Sequence, residues 1–320
     1  MGARAQQPAA APPAPSGTTG LFYGIPIDIT QAKQVAAAAV AAAKKHNVSD
    51  TLVVAVVNGG GDIVYLQRGP SAKIAAVDIA LAKARASATY GFPSAKFYES
   101  LKKNDFKNSF ALPMNASMGP GGLPIVVNGY LIGAIGVTGG YDEAVADAGR
   151  RALDPSAPET AQQQATAEEQ QITSEPVLYG VSVSLNQVPR MLAAAEAEAR
   201  KRNISSFPMV VVDTNGDLVY VQIEIGGRRS HLQIAVDKAR TAARYAVTSQ
   251  SLEAKLLAGD LAQSMALPGA APEGWGGVPI IARGRLIGGV AVAGVRNPND
   301  HAIASAAAAA LADDDPLVAH

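Results

Sequence analysis

The hydrophobic and polar positions of this chain follow one order of segments, and that order occurs twice. Each half has an alanine-rich helical stretch, an apolar hairpin, a long helix, a shorter helix, a second hairpin and a closing helix. Good N-cap residues and tight-turn residues mark the boundaries. The predicted segments of the first half are a helix after Thr30, strands at 52–57 and 63–66, helices at 72–90 and from Ser94, strands at 124–127 and 130–137, and a helix from Asp142; the second half repeats them, with helices after Asn186, at 229–247, from Ser249 and from Asp300.

The two halves are an internal repeat of one domain. Residues 56–139 align without a gap with residues 211–294, so that VVNGGGDIVYLQ meets VVDTNGDLVYVQ. Because the helices lie between two hairpins, we expect an α/β chain with two α+β-type domains, each a mainly antiparallel sheet packed with helices. The predicted division is an Ala/Pro-rich disordered arm at 1–20, repeat 1 at 21–153, a linker at 154–178, repeat 2 at 179–312 and a tail at 313–320.

Composition and charge exclude several classes of protein. Lys plus Arg equals Asp plus Glu at 27 each, so no net charge attracts nucleic acid or anionic lipid. The chain has no cysteine, which rules out disulfides and thiolate chemistry, and no apolar run is long enough to predict a membrane span. Ala3-Arg4-Ala5 before Gln6 resembles the end of a secretory signal and favours a periplasmic or secreted protein. The alternative is a cytoplasmic protein in which these residues belong to the disordered arm.

Five motifs occur in the same order in both halves, and together they carry a family resemblance. They are a Val-Val-Asp-x-x-Gly hairpin, a helix with Lys-Ala-Arg, a Gly-Gly-x-Pro-Ile loop, an Ile-Gly-x-x-x-Val strand and an acidic start to the closing helix. The chain thus resembles the GlcG/HbpS-like haem-binding family, which also includes the C-terminal domain of PduO-type proteins. The resemblance implies a five-stranded antiparallel sheet, dimers that often assemble into octamers, and haem or a related tetrapyrrole as ligand. In repeat 1 Asn58 replaces the hairpin aspartate, so two equivalent sites are not implied.

Two motifs offer binding groups in each repeat. The glycine-rich loop lets a backbone approach a ligand closely, although a tight turn into the hairpin explains the same glycines. In Lys-Ala-Arg the two cations point in different directions around the helix, so only one of them faces the sheet. A lysine in that position is suited to hold a propionate or another carboxylate, and the alternative is a solvated charge. The residues concerned are Lys83, Arg85, Gly121 and Gly122 in repeat 1 and Lys238, Arg240, Trp275, Gly276 and Gly277 in repeat 2.

Histidine and arginine favour repeat 2 as the main site. His231 lies seven residues before Lys238, hence on the same helical face, and is the candidate axial ligand of a haem iron; the alternative is a surface histidine. With Arg228 and Trp275 it gives repeat 2 groups that stack, donate hydrogen bonds or ligate a metal.

Three functions remain open at this point. The first is a tetrapyrrole-binding protein for transport, storage or sensing, folded as a pseudo-dimer within the chain and self-associating into a homo-oligomer. The second is an enzyme acting on a small carboxylated substrate, with Lys238 or Lys83 as base or electrostatic clamp and its other catalytic residues unknown. The third is a scaffold whose pocket has lost its ligand.

Overall fold

The computed structural model describes residues 22–103, 119–157, 176–223, 229–259, 267, 274–295 and 297–318. The predicted arm and most of the predicted linker lie outside these residues. Within them, no helix has both the length and the apolar character that crossing a membrane requires.

Repeat 1 forms a mixed five-stranded sheet. Its strand order is β1-β5-β2-β3, and β4 pairs with β5. The predicted mainly antiparallel sheet is confirmed, but the purely antiparallel sheet that the family resemblance implied is wrong, because β1 runs parallel to β5. The elements are β1 (Phe22–Tyr23), α1 (Ile29–Lys45), β2 (Val53–Asn58), β3 (Ile63–Arg68), α2 (Ile74–Tyr90), α3 (Ala95–Lys102), β4 (Gly122–Val127), β5 (Tyr130–Thr138) and α4 (Asp142–Arg150).

Repeat 2 has the same topology with a four-stranded sheet in the order β7-β6-β9-β8. Tyr179 makes a single parallel bridge to Leu286, in the place where β1 pairs in repeat 1. The elements are α5 (Val188–Lys201), β6 (Met209–Val212), β7 (Leu218–Gln222), α6 (Arg229–Tyr245), α7 (Ser249–Leu257), β8 (Gly277–Ala282), β9 (Arg285–Val292) and α8 (Asn297–Ala309).

Each sheet is covered by helices on both faces. In β2, Val54 and Val56 pack with α1 and α4, whereas Val53, Ala55 and Val57 pack with α2. Both faces of the strand are therefore buried, which explains why its sequence is continuously apolar instead of alternating. Repeat 2 has the same two cores, one with α5 and α8 and one with α6.

The two repeats pack against each other through their long helices, as expected for a pseudo-dimer within the chain. Ile79 of α2 and Tyr245 of α6 share a buried apolar cluster that includes Leu252. Arg244 pairs with Asp78 across the same contact. The Tyr179 hydroxyl accepts a hydrogen bond of 2.8 Å from the Ile74 amide at the start of α2.

Several predicted helix starts are wrong by a few residues. Helix α1 begins at Ile29 because Asp28, and not Thr30, caps it in a reciprocal pair with Gln31. A 3-10 turn at Leu185–Gln187, with Ser184 as its cap, replaces the predicted cap at Asn186. The closing helix α8 begins at Asn297, which places Asp300 inside its first turn.

Candidate functional site

In repeat 1 a buried ion pair joins the long helix to the closing helix. The Lys83 ammonium lies 2.7 Å from Asp142 Oδ2 and donates a 3.0 Å hydrogen bond to the Val137 carbonyl. Asp142 Oδ1 accepts from the Gly140 amide at 2.8 Å. These contacts fix the end of β5 and the start of α4 to α2. Both the charge of Lys83 and most of its donor capacity are therefore used within the protein.

Glu143, the next residue of α4, completes this cluster. Its Oε2 accepts a 2.6 Å hydrogen bond from the Gly121 amide, and the residue is only 5% exposed. Burial raises the pKa of its carboxyl to about 7, against the opposing effects of the Gly121 hydrogen bond and the Lys83 charge. The Glu143 carboxyl can therefore gain or lose a proton near neutral pH.

Repeat 2 has a corresponding cluster around Lys238 and Asp300. The buried Lys238 donates a 2.8 Å hydrogen bond to the Trp275 carbonyl. Asp300 Oδ1 accepts from the Val295 amide at 2.9 Å. Burial raises the pKa of Asp300, while the Val295 hydrogen bond and the charges of Lys238 and His231 oppose that rise. Lys238 and His231 thus both act on one buried carboxylate.

His301 follows Asp300 in the chain, as Glu143 follows Asp142. Its Nε2 lies 3.4 Å from the Ser305 hydroxyl, one turn further along α8. Its Nδ1 is buried and has no hydrogen-bond partner among the described residues. The Trp275 ring meets the imidazole edge-on, with ring centroids 6.1 Å apart and an interplanar angle of 80°. Burial lowers the pKa of His301 and so favours the neutral imidazole.

The structure explains the predicted loop glycines by close packing of the protein on itself. A Cβ at Gly121 would lie 2.7 Å from the Val137 carbonyl oxygen, and one at Gly277 would lie 2.6 Å from the Lys238 carbonyl oxygen; Gly122 and Gly276 are equally crowded. The amides of Gly122 and Gly277 each donate a 2.9 Å hydrogen bond to the hydroxyl of a serine, Ser94 and Ser249 respectively. These amides are therefore occupied, and a tight start to the hairpin accounts for the glycines.

The predicted arginines lie away from the lysine clusters. Arg85 donates to the Gly61 carbonyl at 3.1 Å, and Arg240 donates to the Gly216 carbonyl at 3.0 Å. Each arginine therefore holds the turn of the first hairpin in its own repeat. The expectation that one cation of Lys-Ala-Arg faces inward is confirmed, and the lysine is that cation. Arg228 lies outside the described residues.

The site therefore brings together Lys238, His231 and Trp275 from the predicted set and adds Asp300 and His301. The imidazole of His231 lies against Gly294, where an added Cβ would be 2.5 Å from Nδ1. His301 was not among the candidates predicted from the sequence, although its position after the closing-helix aspartate was a usable signal. No three histidine, aspartate or glutamate side chains within the described residues are grouped to hold a bare metal ion.

Two helix–sheet–helix repeats, each fixing its closing helix beside a buried lysine and aspartate, define a tandem-domain α/β protein. Residues 27–151 and 183–309 match the family described as "Haem degrading protein HbpS-like". The chain belongs to this family, as its motifs indicated.

Each of three relatives matches less than half of this chain. An uncharacterized 15.0 kDa protein in the dhaT-dhaS intergenic region of Citrobacter freundii is 31% identical over 119 residues, which cover 37% of this chain and 82% of the relative. A double mutant of HbpS from Streptomyces reticuli is 30% identical, with 46% of this chain and 99% of that chain covered and a TM-score of 0.37. A PduOC:heme complex is 21% identical, with 41% of this chain and 96% of that chain covered and a TM-score of 0.38.

Proposed function

We propose that this protein binds haem or a related tetrapyrrole, and that its main site lies in repeat 2 between Trp275, His231 and the start of α8. Membership of a family described by haem chemistry supports the ligand class. The observation that carries the proposal is the contact between the half-buried His301 imidazole and the half-buried Trp275 ring at the start of the closing helix. A neutral imidazole can ligate a metal, and an indole ring can pack against a planar ligand.

The residues of repeat 2 have separate parts in this proposal. Trp275 supplies an apolar wall, and its backbone is held in place by the Lys238 ammonium. His231, whose charge acts on Asp300, and His301, the next residue in the chain, would supply imidazole nitrogens. The bound iron would supply redox and ligand-binding chemistry that the side chains themselves lack.

Titration of the full chain with haemin tests the proposal. We expect a shifted Soret band with saturable stoichiometry of one or two per chain. A titration indistinguishable from haemin in buffer, or from weak binding to albumin, contradicts it.

Variants assign the main site to one repeat. We expect Lys238→Ala and His231→Ala to weaken haemin binding more than Lys83→Ala does, with circular dichroism as the check on folding. Loss of binding in Lys83→Ala alone, with both repeat 2 variants intact, would place the main site in repeat 1.

One observation favours an enzyme as second candidate. Glu143 is a buried carboxyl with a pKa of about 7, which suits it to proton transfer on a small carboxylated substrate at neutral pH. Lys83 is less suited to act as a base because its ammonium is paired with Asp142. Mass spectrometry of the purified protein tests this candidate: an organic acid retained by the natural chain and lost from Glu143→Gln supports it, and its absence from both contradicts it.

A further inference from the structure

We propose that Glu253 is the positioning residue of Trp275, and that it fixes the direction in which the indole ring meets a planar ligand. The inference rests on the proposed function and adds a residue that acts on the site through another side chain. Glu253 lies on α7, and its Oε1 accepts a 3.1 Å hydrogen bond from the amide of Gly274, the residue directly before Trp275. The carboxylate therefore holds the backbone at the point where the tryptophan begins.

Two further elements hold the backbone of Trp275 and of the residue after it. The Lys238 ammonium of α6 donates to the Trp275 carbonyl at 2.8 Å, and the Gly276 carbonyl accepts from the Val292 amide of β9 at 3.1 Å. Three consecutive residues are thus each bonded to a different element. Two of the three bonds involve a charged side chain, and such hydrogen bonds are stronger than neutral ones. With the backbone fixed in this way, the direction of the indole ring depends on its own side-chain torsions.

The neighbouring glycines explain why this segment needs restraints. Gly274 and Gly276 have φ values of +74° and +117°, a region that glycine adopts more freely than other residues. Gly276 is confined by packing, because an added Cβ would lie 2.9 Å from the Asp300 Cβ. Gly274 is only half-buried, so its bond to Glu253 is a restraint that keeps the tryptophan from turning about the preceding residue.

Repeat 1 holds the same loop from a different element. There Glu143 of the closing helix accepts from the Gly121 amide, whereas the position of Glu253 is taken by Tyr98. The chain has a single tryptophan, so repeat 1 has none to orient. In repeat 2 the carboxylate comes from α7, and at the closing helix the indole meets an imidazole with the ring planes at 80°. The carboxylate on α7 therefore occurs in the repeat that carries the tryptophan.

The spectra of the ligand-free chain test the positioning role directly, because Trp275 is the only tryptophan. We expect Glu253→Ala to lower the steady-state fluorescence anisotropy of Trp275 and to weaken its near-ultraviolet circular dichroism bands. Glu253→Gln should retain both signals, because the amide oxygen of glutamine can still accept from the Gly274 amide. Glu196→Ala, which removes an exposed glutamate of α5 paired with Arg200, is the matched control and leaves both signals unchanged.

Haemin titrations of the full chain then show whether Glu253 acts through the tryptophan. Glu253→Ala should weaken haemin binding by about 10-fold, as expected for loss of a hydrogen bond to a charged group. In a chain that already carries Trp275→Leu, the same change should weaken binding by less than about twofold, because no indole is left to position. Far-ultraviolet circular dichroism checks the folding of each variant. Glu253→Met, which removes the acceptor but keeps the length of the side chain, replaces Glu253→Ala if that variant fails to fold.

Unchanged anisotropy and near-ultraviolet bands in folded Glu253→Ala overturn the inference and leave the proposed function standing. An equal loss of haemin affinity with and without Trp275→Leu also overturns it, since Glu253 would then not act through the indole. Failure of the natural chain to bind haemin saturably overturns the proposed function itself, while the ligand-free spectra still decide whether Glu253 holds Trp275.

Discussion

The two repeats differ in the side chain that follows the aspartate at the start of the closing helix. In repeat 1 the carboxyl of Glu143 is bound to the Gly121 amide, and Asp142 is neutralised by Lys83. In repeat 2 an imidazole occupies the corresponding position, and its Nδ1 is left without a partner among the described residues. At this one position, repeat 1 therefore ties a carboxyl group into its own backbone, whereas repeat 2 carries an imidazole whose Nδ1 makes no such bond within the described residues.

The largest expected effect concerns the buried lysines. Removal of the ammonium by Lys83→Ala leaves Asp142 as a buried charge and should lower the free energy of unfolding by about 3–5 kcal/mol. Lys238→Ala should cost less, because burial raises the pKa of Asp300 and its carboxylate can take up a proton once the lysine is lost. Urea unfolding monitored by circular dichroism measures both changes.

A double variant shows whether the effect arises from the unpaired charge. Lys83→Met combined with Asp142→Leu removes both charges and should regain much of the lost stability. If Lys238→Ala lowers the free energy of unfolding as much as Lys83→Ala does, the two buried lysines have equivalent surroundings. The proposed difference between the repeats is then contradicted at this position.

Proton binding at Glu143 should give the next largest effect. The folded state holds its proton up to a pKa of about 7, whereas the unfolded chain releases it near 4.5. The free energy of unfolding therefore falls as pH rises between these values, by up to about 3 kcal/mol above pH 7. Glu143→Gln removes this dependence, so its stability relative to the natural chain should rise with pH, as measured by urea unfolding from pH 4.5 to 8.

The opposite sign is expected at His301 in repeat 2. Its pKa is lowered in the folded state from 6.5, so the natural chain loses stability as pH falls below that value. His301→Gln should remove this loss, so its stability relative to the natural chain should rise as pH falls. Glu143→Gln should show the reverse, a relative stability that rises with pH. Slopes of the same sign for Glu143→Gln and His301→Gln would show that the two positions are not in contrasting environments.

The smallest effects are expected where the repeats agree. Arg85 and Arg240 make the same hydrogen bond to the hairpin turn of their own repeat. Substitution of either by alanine should therefore cost less than about 1 kcal/mol and leave haemin binding unchanged. Calorimetric melting and haemin titration measure the two quantities, and a large loss of binding in Arg240→Ala alone would restore that arginine to the site.

The sequence was sufficient to predict the repeat, the order of the elements and the fact that only one cation of Lys-Ala-Arg faces the sheet. Strong apolar runs such as residues 53–57 and glycine-containing turns are local signals, so they predict strands without knowledge of the partner strands. The parallel pairing of β1 was not predictable in this way because it depends on Phe22 and Tyr23 meeting β5 more than a hundred residues later.

The site was harder to predict because its contacts cross regions of unequal length. The gap-free alignment of the repeats ends at Gly139 and Gly294, and repeat 2 has three more residues before its closing-helix aspartate. In the structure Asp142 lies near Lys83 and Asp300 near Lys238, so the two aspartates occupy equivalent places. Only this spatial match shows that His301 corresponds to Glu143. The choice between the two explanations of the glycines was open for a related reason, since a sequence shows the missing side chain at Gly122 or Gly277 but not the backbone packed against it.

The contact between the long helices has a consequence for how the chain could diverge. In a dimer of identical subunits, every interface pair must occur twice by symmetry. Here Arg244 pairs with Asp78, while the residues related to them by the repeat are Thr89 and Gln233, which cannot form an ion pair. Covalent fusion thus removes the requirement of self-complementarity, and each half is free to change on one side of the axis alone. An unequal pair of sites is the kind of specialisation that such a broken symmetry permits.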